Sequence, residues 1–287
     1  MTVLTGMSGT DKPRRAYDAI DLSSRAFWST TAAERERSFA VLRAERPVSW
    51  HPPVEDALMP DPDDPGYWAV TRRSDIVAVS RDNDVFRSGK GVMFENIPTE
   101  LLEASQSFLA MDPPRHTKLR KLVSAAFTPR QVRRIEDSIK ANARAIVEEL
   151  RAAGSGADFV DHCAKELPIR TLSDMVGIPE SEREHMAHAT DAMVSWADPA
   201  YLGGRHPMEV LVENQTYVHR VAGALAAERR ERPGDDLISG LVHAEVDGDR
   251  LSDADVAAFF VLLSVAANDT TRQTTSHALK ALTDFPE

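Results

Sequence analysis

One cysteine, Cys163, is present among 287 residues. A single thiol permits neither an internal disulfide nor a cysteine-rich metal site, and it points to a reducing compartment. No run of about 18 apolar residues occurs, and the opening stretch MTVLTGMSGTDKPRRAYDA lacks the apolar core of a signal peptide. Basic residues are in deficit, 34 against 45 acidic, for a formal net charge of −11. That balance excludes a general nucleic-acid or anionic-membrane binder, though a local basic patch could still dock an acidic protein. Internal repeats and low-complexity tracts are missing too. With 42% hydrophobic residues the chain has material for a sizeable core, so the expectation is a folded, cytoplasmic protein.

Convincing strand is scarce. Pro47-Val48-Ser49-Trp50-His51 and Tyr67-Trp68-Ala69-Val70-Thr71 flank a Pro/Asp-rich stretch ending at Gly66, which predicts one small hairpin over 47–71. Residues 1–46 read as a polar, helical opening segment, and 72–287 as helical throughout. Leu119, Leu122, Val123, Ala126 and Phe127 form one apolar stripe, and Val132, Ile135, Ile139, Ile146 and Leu150 a second beyond Thr128-Pro129. Further helices are predicted over Phe159–Met175, Glu180–Ser195 and Met208–Arg230, with Gly177, Gly203-Gly204 and Pro233-Gly234 between them. The last helix starts at a capping box, Ser252 with Asp255. Its run Val256–Ala267 is apolar almost all round, which predicts burial on every side. Continued to Thr283 it would have ~30 residues and span about 45 Å.

Two constellations bear on chemistry. Asn268-Asp269-Thr270-Thr271 interrupts the apolar helix. Either the helix has reached the surface there, or an acid and an alcohol stand beside a buried reaction centre, placed to deliver protons where bulk water is excluded. The Thr270 hydroxyl can turn back onto the carbonyl of Ala266. The second constellation is Met111-Asp112-Pro113-Pro114-Arg115-His116-Thr117-Lys118-Leu119-Arg120. Asp before Pro signals a helix start, and His116 and Arg120 at i and i+4 then share a face away from the Leu119 stripe. They either belong to a solvated basic face or hold a carboxylate, the arginine by two parallel hydrogen bonds.

In this order and spacing the two motifs resemble those of the cytochrome P-450 family, in its soluble bacterial class. Asp112 to Arg120 followed by Phe127-Thr128-Pro129-Arg130 is similar to the family's C helix and its exit, and Ala266 to Thr271 to the oxygen-binding motif of its long central helix. The resemblance runs from the hairpin to Glu287 and implies a mainly α fold with a small β hairpin near the N-terminus. It implies a single domain over 1–287 that is incomplete at the C-terminus, since the family's Glu-x-x-Arg pair and haem-ligating Cys follow the central helix. It further implies heme b, with His116 and Arg120 binding the propionates and Ala266 lying against the haem. Thr270 would hydrogen-bond dioxygen while Asp269 relays protons, and Met93, Phe94, Met193 and Val265 would wall the substrate pocket. The implied activity is that of an oxidoreductase, a monooxygenase hydroxylating a small apolar substrate. Electrons would come from NAD(P)H through a ferredoxin reductase and ferredoxin. The cluster Arg115, Lys118, Lys121, Arg130, Arg133 and Arg134 is either part of that docking surface or a solvated helix face.

Position 267 is Ala where the family has Gly, and Cys163 lacks the glycines of the family's Cys loop. The resemblance therefore implies that residues 1–287 alone do not turn over substrate. A non-catalytic helical protein binding an apolar ligand or a partner is the alternative. His185-x-x-His188 offers two metal ligands at helical spacing but no third-ligand signature, so no metal is assigned to it. Met186, Met193, Val194 and Trp196 suit either a pocket wall or the core.

Overall fold

The chain was analysed as a computed structural model, which describes residues 15–95 and 108–286. They fall into two compact units, residues 15–87 with 91–95, and residues 88–90 with 108–286.

In the first unit Ser24 caps a short helix, α1 (Arg25–Trp28), and Thr31 with Glu34 forms a complete capping box at α2 (Ala32–Glu45). The expected hairpin follows: β1 (Val48–His51) pairs antiparallel with β2 (Tyr67–Val70), Val48 opposite Val70 and His51 opposite Tyr67. The rings of Trp50 and Trp68 meet across the strands with centroids 5.0 Å apart, the kind of aromatic pair that fixes register. Gly66 is required where β2 begins. Its φ is +103°, and a Cβ there would stand 2.1 Å from the carbonyl oxygen of His51. His51 itself is fully buried, with Nε2 2.8 Å from Ser49 Oγ. Helix α3 (Arg73–Arg81) completes the regular structure of this unit.

The second unit is helical. Its helices are α4 (Arg115–Ala126), α5 (Pro129–Ala153), α6 (Glu166–Val176), α7 (Glu180–Val194), α8 (Pro199–Leu202), α9 (Pro207–Glu231), α10 (Leu237–His243) and α11 (Asp253–Asp284). Local signals explain most boundaries. Thr128 caps α5 ahead of Pro129, Gly177 ends α6 in the left-handed conformation, and Asp236 caps α10. Ser252 and Asp255 cap α11 reciprocally, as the sequence predicts. Leu119, Leu122, Val123 and Ala126 of α4 enter one core with Val218, Val221, Ala222 and Leu225 of α9 and Phe259 and Phe260 of α11. Each large side chain buried there contributes about 1.5–3 kcal/mol.

The structure differs from the sequence reading in five places. The predicted helix Phe159–Met175 is a π turn (Val160–Ala164) followed by α6. Of the second apolar stripe only Ile146 is buried, while Val132 and Ile139 are exposed. Asp112 does not cap α4. Its carboxylate instead accepts from the backbone N–H groups of Ser88 and Gly89, at 2.8 and 2.9 Å. A second hairpin joins β3 (Glu245–Val246) to β4 (Asp249–Arg250) through Asp247-Gly248, both at positive φ. Finally, α11 is not buried all round. It packs on α6, α7 and α9, with Val256–Phe260, Ser264 and Asn268 inside, and presents Ala266 and Thr270 outside. It is the one described helix long and apolar enough to cross a membrane, and its packing makes it a core helix.

Candidate functional site

Helix α4 sets the first part of the site. One turn separates His116 and Arg120, which line a groove of about 570 Å³ with Thr117, Ser124 and Val246. Leu119 and Leu122, between and beyond them, are buried, so core packing fixes the face that the imidazole and the guanidinium share. Among the described residues neither side chain has a hydrogen-bond or ion-pair partner. The neighbouring cations differ. Lys118 pairs with Asp249 at 2.7 Å, and Arg130 and Arg134 share Asp235 at 3.3 and 3.4 Å. The basic cluster of the sequence is thus partly committed to ion pairs within this unit.

Helix α11 sets the second part. Phe127, just past α4, meets Phe259 near the start of α11, and about two turns further on comes Ala266. Thr270 Oγ1 donates to the Ala266 carbonyl at 2.7 Å. Asp269 stands beside it and accepts from Arg272 Nη2, also at 2.7 Å. The same guanidinium donates through Nη1 to Asp191 of α7 at 2.8 Å, and Asn268 Nδ2 reaches the other oxygen of Asp191 at 2.9 Å. Asp191 and Arg272 keep only 4% and 15% of their side-chain exposure, so this pair is desolvated. Burial works against the Arg272 charge, but its hydrogen bond to Asp269 and the charge of Asp191 outweigh it and hold the guanidinium above its usual range. The solvated reading of this stretch holds only for its exposed part. Thr270 has reached the surface, whereas Asn268 is buried and Asp269 is half-buried in an ion pair.

Met93 and Phe94 are exposed in the first unit, where Phe94 packs on Tyr67 with ring centroids 5.5 Å apart. Met193 and Val265 are half-buried in the second, Met193 against its core. Of the flanking methionine and valine, Met186 is core and Val194 exposed. His185 stacks on Tyr217 and His188 lies against Tyr201, ring contacts that account for both imidazoles. Burial pushes the Cys163 thiol up, the reverse of what a thiolate ligand needs.

Three residues of interest escaped the sequence reading. Val246 had a signal in the Asp247-Gly248 turn dipeptide that positions it. Arg272 had only its i+3 spacing from Asp269, and Asp191, 81 residues away, had none.

A long core helix carrying Asp269 and Thr270, packed with a second helix that presents His116 and Arg120 to one groove, defines a mainly helical protein with a small antiparallel hairpin. No protein-family profile matches the chain. It is 36% identical over 287 residues to a methyl-branched lipid omega-hydroxylase of Mycobacterium tuberculosis, covering 99% of this chain and 66% of that one. It is 36% identical over 256 residues to a steroid C26-monooxygenase of Mycobacterium bovis, covering 87% and 57%. Among solved structures, a cytochrome P450 of Mycobacterium marinum in complex with pseudoionone is 78% identical, with TM-score 0.87 over 96% of this chain and 66% of that one. A cytochrome P450 of Chondromyces apiculatus is 28% identical, with TM-score 0.71 over 93% and 62%. The chain belongs to the cytochrome P450 family and spans at most 66% of the length of these relatives.

The family implies haem. His116 and Arg120 fit that group: an imidazole and a guanidinium, one turn apart on one groove, can donate to its two carboxylates. Cys163 lies in the π turn Val160–Ala164 and has no glycine beside it, so it does not fit the family's haem-ligating loop.

Proposed function

We propose that the whole protein is a haem-thiolate monooxygenase that hydroxylates a small apolar substrate. Thr270 and Ala266 on the outer side of α11, with Asp269 beside them, are the observation that carries this reading. One oxygen atom of O2 enters a C–H bond, and the other leaves as water with two electrons and two protons. Haem b, when bound, supplies the oxidising chemistry. His116 and Arg120 hold its carboxylates and fix its orientation. Ala266, small and exposed, leaves room for the haem face and the substrate. Rotation about χ1 releases the Thr270 hydroxyl from the Ala266 carbonyl to donate to dioxygen. Asp269 passes protons to it from solvent.

Met193 and Val265 of the second unit wall the substrate pocket, and Met93 and Phe94 are candidates for substrate contact by the family resemblance alone. An apolar substrate is supported by relatives named for methyl-branched lipids and steroids and by the pseudoionone complex. Electrons come from NAD(P)H through ferredoxin reductase and ferredoxin, and the protein works in the cytoplasm, both by the family resemblance alone. Residues 1–287 alone do not turn over substrate, since Cys163, their one thiol, lacks the glycines of the family's haem-ligating Cys loop.

The test is the difference spectrum of the dithionite-reduced, carbon-monoxide-bound protein, full-length beside residues 1–287. A thiolate-type Soret band in the full-length protein and none in the shorter chain is expected. No such band in either, with haem loaded and protein folded, would favour a non-catalytic helical binder.

A further inference from the structure

The most buried charged cluster among the described residues joins two helices through one side chain. Arg272 of α11 divides its guanidinium between Asp269, on its own helix at 2.7 Å, and Asp191 of α7 at 2.8 Å. Asn268 donates to the second oxygen of Asp191 at 2.9 Å and stands 3.5 Å from the Thr190 hydroxyl. Tyr201, on α8, also faces Asp191 and hydrogen-bonds to it. An exposed ion pair of this kind would contribute little. This one is desolvated on both sides, and the planar fork of arginine lets a single residue orient two carboxylates at once.

The consequence for Asp269 is geometric. A free aspartate at a half-exposed helix position samples several rotamers, whereas this one is fixed by a donor that is itself fixed to another helix. We propose that Arg272 is a positioning residue that sets the orientation of Asp269 by tying it to Asp191, so that the seating of α7 against α11 decides how the acid is presented. A shift of α7 that draws Asp191 away leaves Arg272 either to follow it, releasing Asp269, or to close fully on Asp269 and withdraw it. In both cases the acid leaves its place beside Thr270. This inference rests on the assignment of Asp269 as the proton-relaying group.

The test uses the full-length haem-loaded enzyme with pseudoionone as the probe substrate. Arg272→Gln and Asp191→Asn are each expected to lower kcat by about tenfold to a hundredfold, the scale of a misplaced catalytic group, with KM within about twofold. Their effects are expected not to add, since each breaks the same link. Hydrogen exchange of the α7 amides should rise in both variants, reporting the loosened tie without reference to turnover. Arg272→Lys should fail to restore kcat, because one ammonium cannot bridge both carboxylates. If the single variants do not fold, Asp191→Leu with Arg272→Met removes both buried charges together and carries the same expectation. Wild-type kcat with loosened α7 amides, or additive losses, would overturn the proposal. Full kcat in Asp269→Asn removes the acid assignment and this inference with it. A loss in Asp269→Asn with none in Arg272→Gln removes the inference alone.

Discussion

Thr270 Oγ1 donates to the carbonyl oxygen of Ala266 at 2.7 Å, folding the hydroxyl back onto its own helix at a position where it is exposed. Such a back-bond contributes nothing to helix stability and favours a bend. Thr270→Ala in the full-length enzyme should therefore melt within about 0.5 kcal/mol of wild type and retain haem. Product formed per NAD(P)H should nevertheless fall by about tenfold or more, with the electrons recovered as peroxide, because one hydrogen-bond donor is lost. Thr270→Ser keeps the donor and should keep most of the coupling. Unchanged coupling in Thr270→Ala would remove the role assigned to the hydroxyl.

The His116 and Arg120 pair makes a prediction about haem retention rather than turnover. Hydrogen bonds to charged groups contribute about 1.5–3 kcal/mol each. Arg120→Ala should speed haem transfer from the full-length protein to apomyoglobin by about tenfold to a hundredfold, and His116→Ala by somewhat less. Arg120→Lys should recover only part of the loss, since the bidentate geometry is gone. Equal transfer rates in wild type and Arg120→Ala would return these residues to a solvated basic face.

The parts of the molecule that were legible in sequence are those determined by neighbours in the chain. The hairpin followed from two aromatic, β-branched runs around Gly66, and the start of α11 from Ser252 and Asp255. The His116/Arg120 face followed from i, i+4 spacing against a clear Leu119 stripe. The environment of Asp269 did not, because spacing says nothing about which distant helix supplies a partner. Burial around α11 was misjudged for a related reason. An alanine-rich run carries no stripe, so its open side at Ala266 and Thr270 is set by the packing of α6, α7 and α9 rather than by its own pattern. Two-residue strands such as β3 and β4 fall below any periodicity signal, leaving the Asp247-Gly248 turn as their trace.

Phe260 tests the core claim directly. It is fully buried near the start of α11 and belongs to the cluster that joins α4, α9 and α11. Phe260→Ala should cost about 3–5 kcal/mol through lost burial and the cavity left behind. Phe285, exposed beyond the end of α11, should tolerate the same change within about 0.5 kcal/mol. Equal midpoints for the two variants in urea would contradict the placement of the core.

His51 gives the first unit a pH dependence with a definite sign. Burial pushes its imidazole pKa below the ordinary value, and the charges of Asp18 and Asp21 oppose that only in part. The unfolded chain, with a histidine near 6.5, then binds the proton more readily than the folded one. The contribution to stability is present above about pH 6.5 and is lost as pH falls through the depressed folded value, with a slope of at most about 1.4 kcal/mol per pH unit. His219, also lowered by burial, adds a contribution of the same sign in the second unit. The melting temperature of the full-length protein should accordingly be flat from about pH 8 to 7 and fall between about 6.5 and 5. His51→Gln stays neutral throughout, so it should flatten that fall even if its melting temperature at pH 7.5 is lower. A fall of equal steepness in wild type and His51→Gln would place the acid sensitivity elsewhere, with His219→Gln as the next variant to measure.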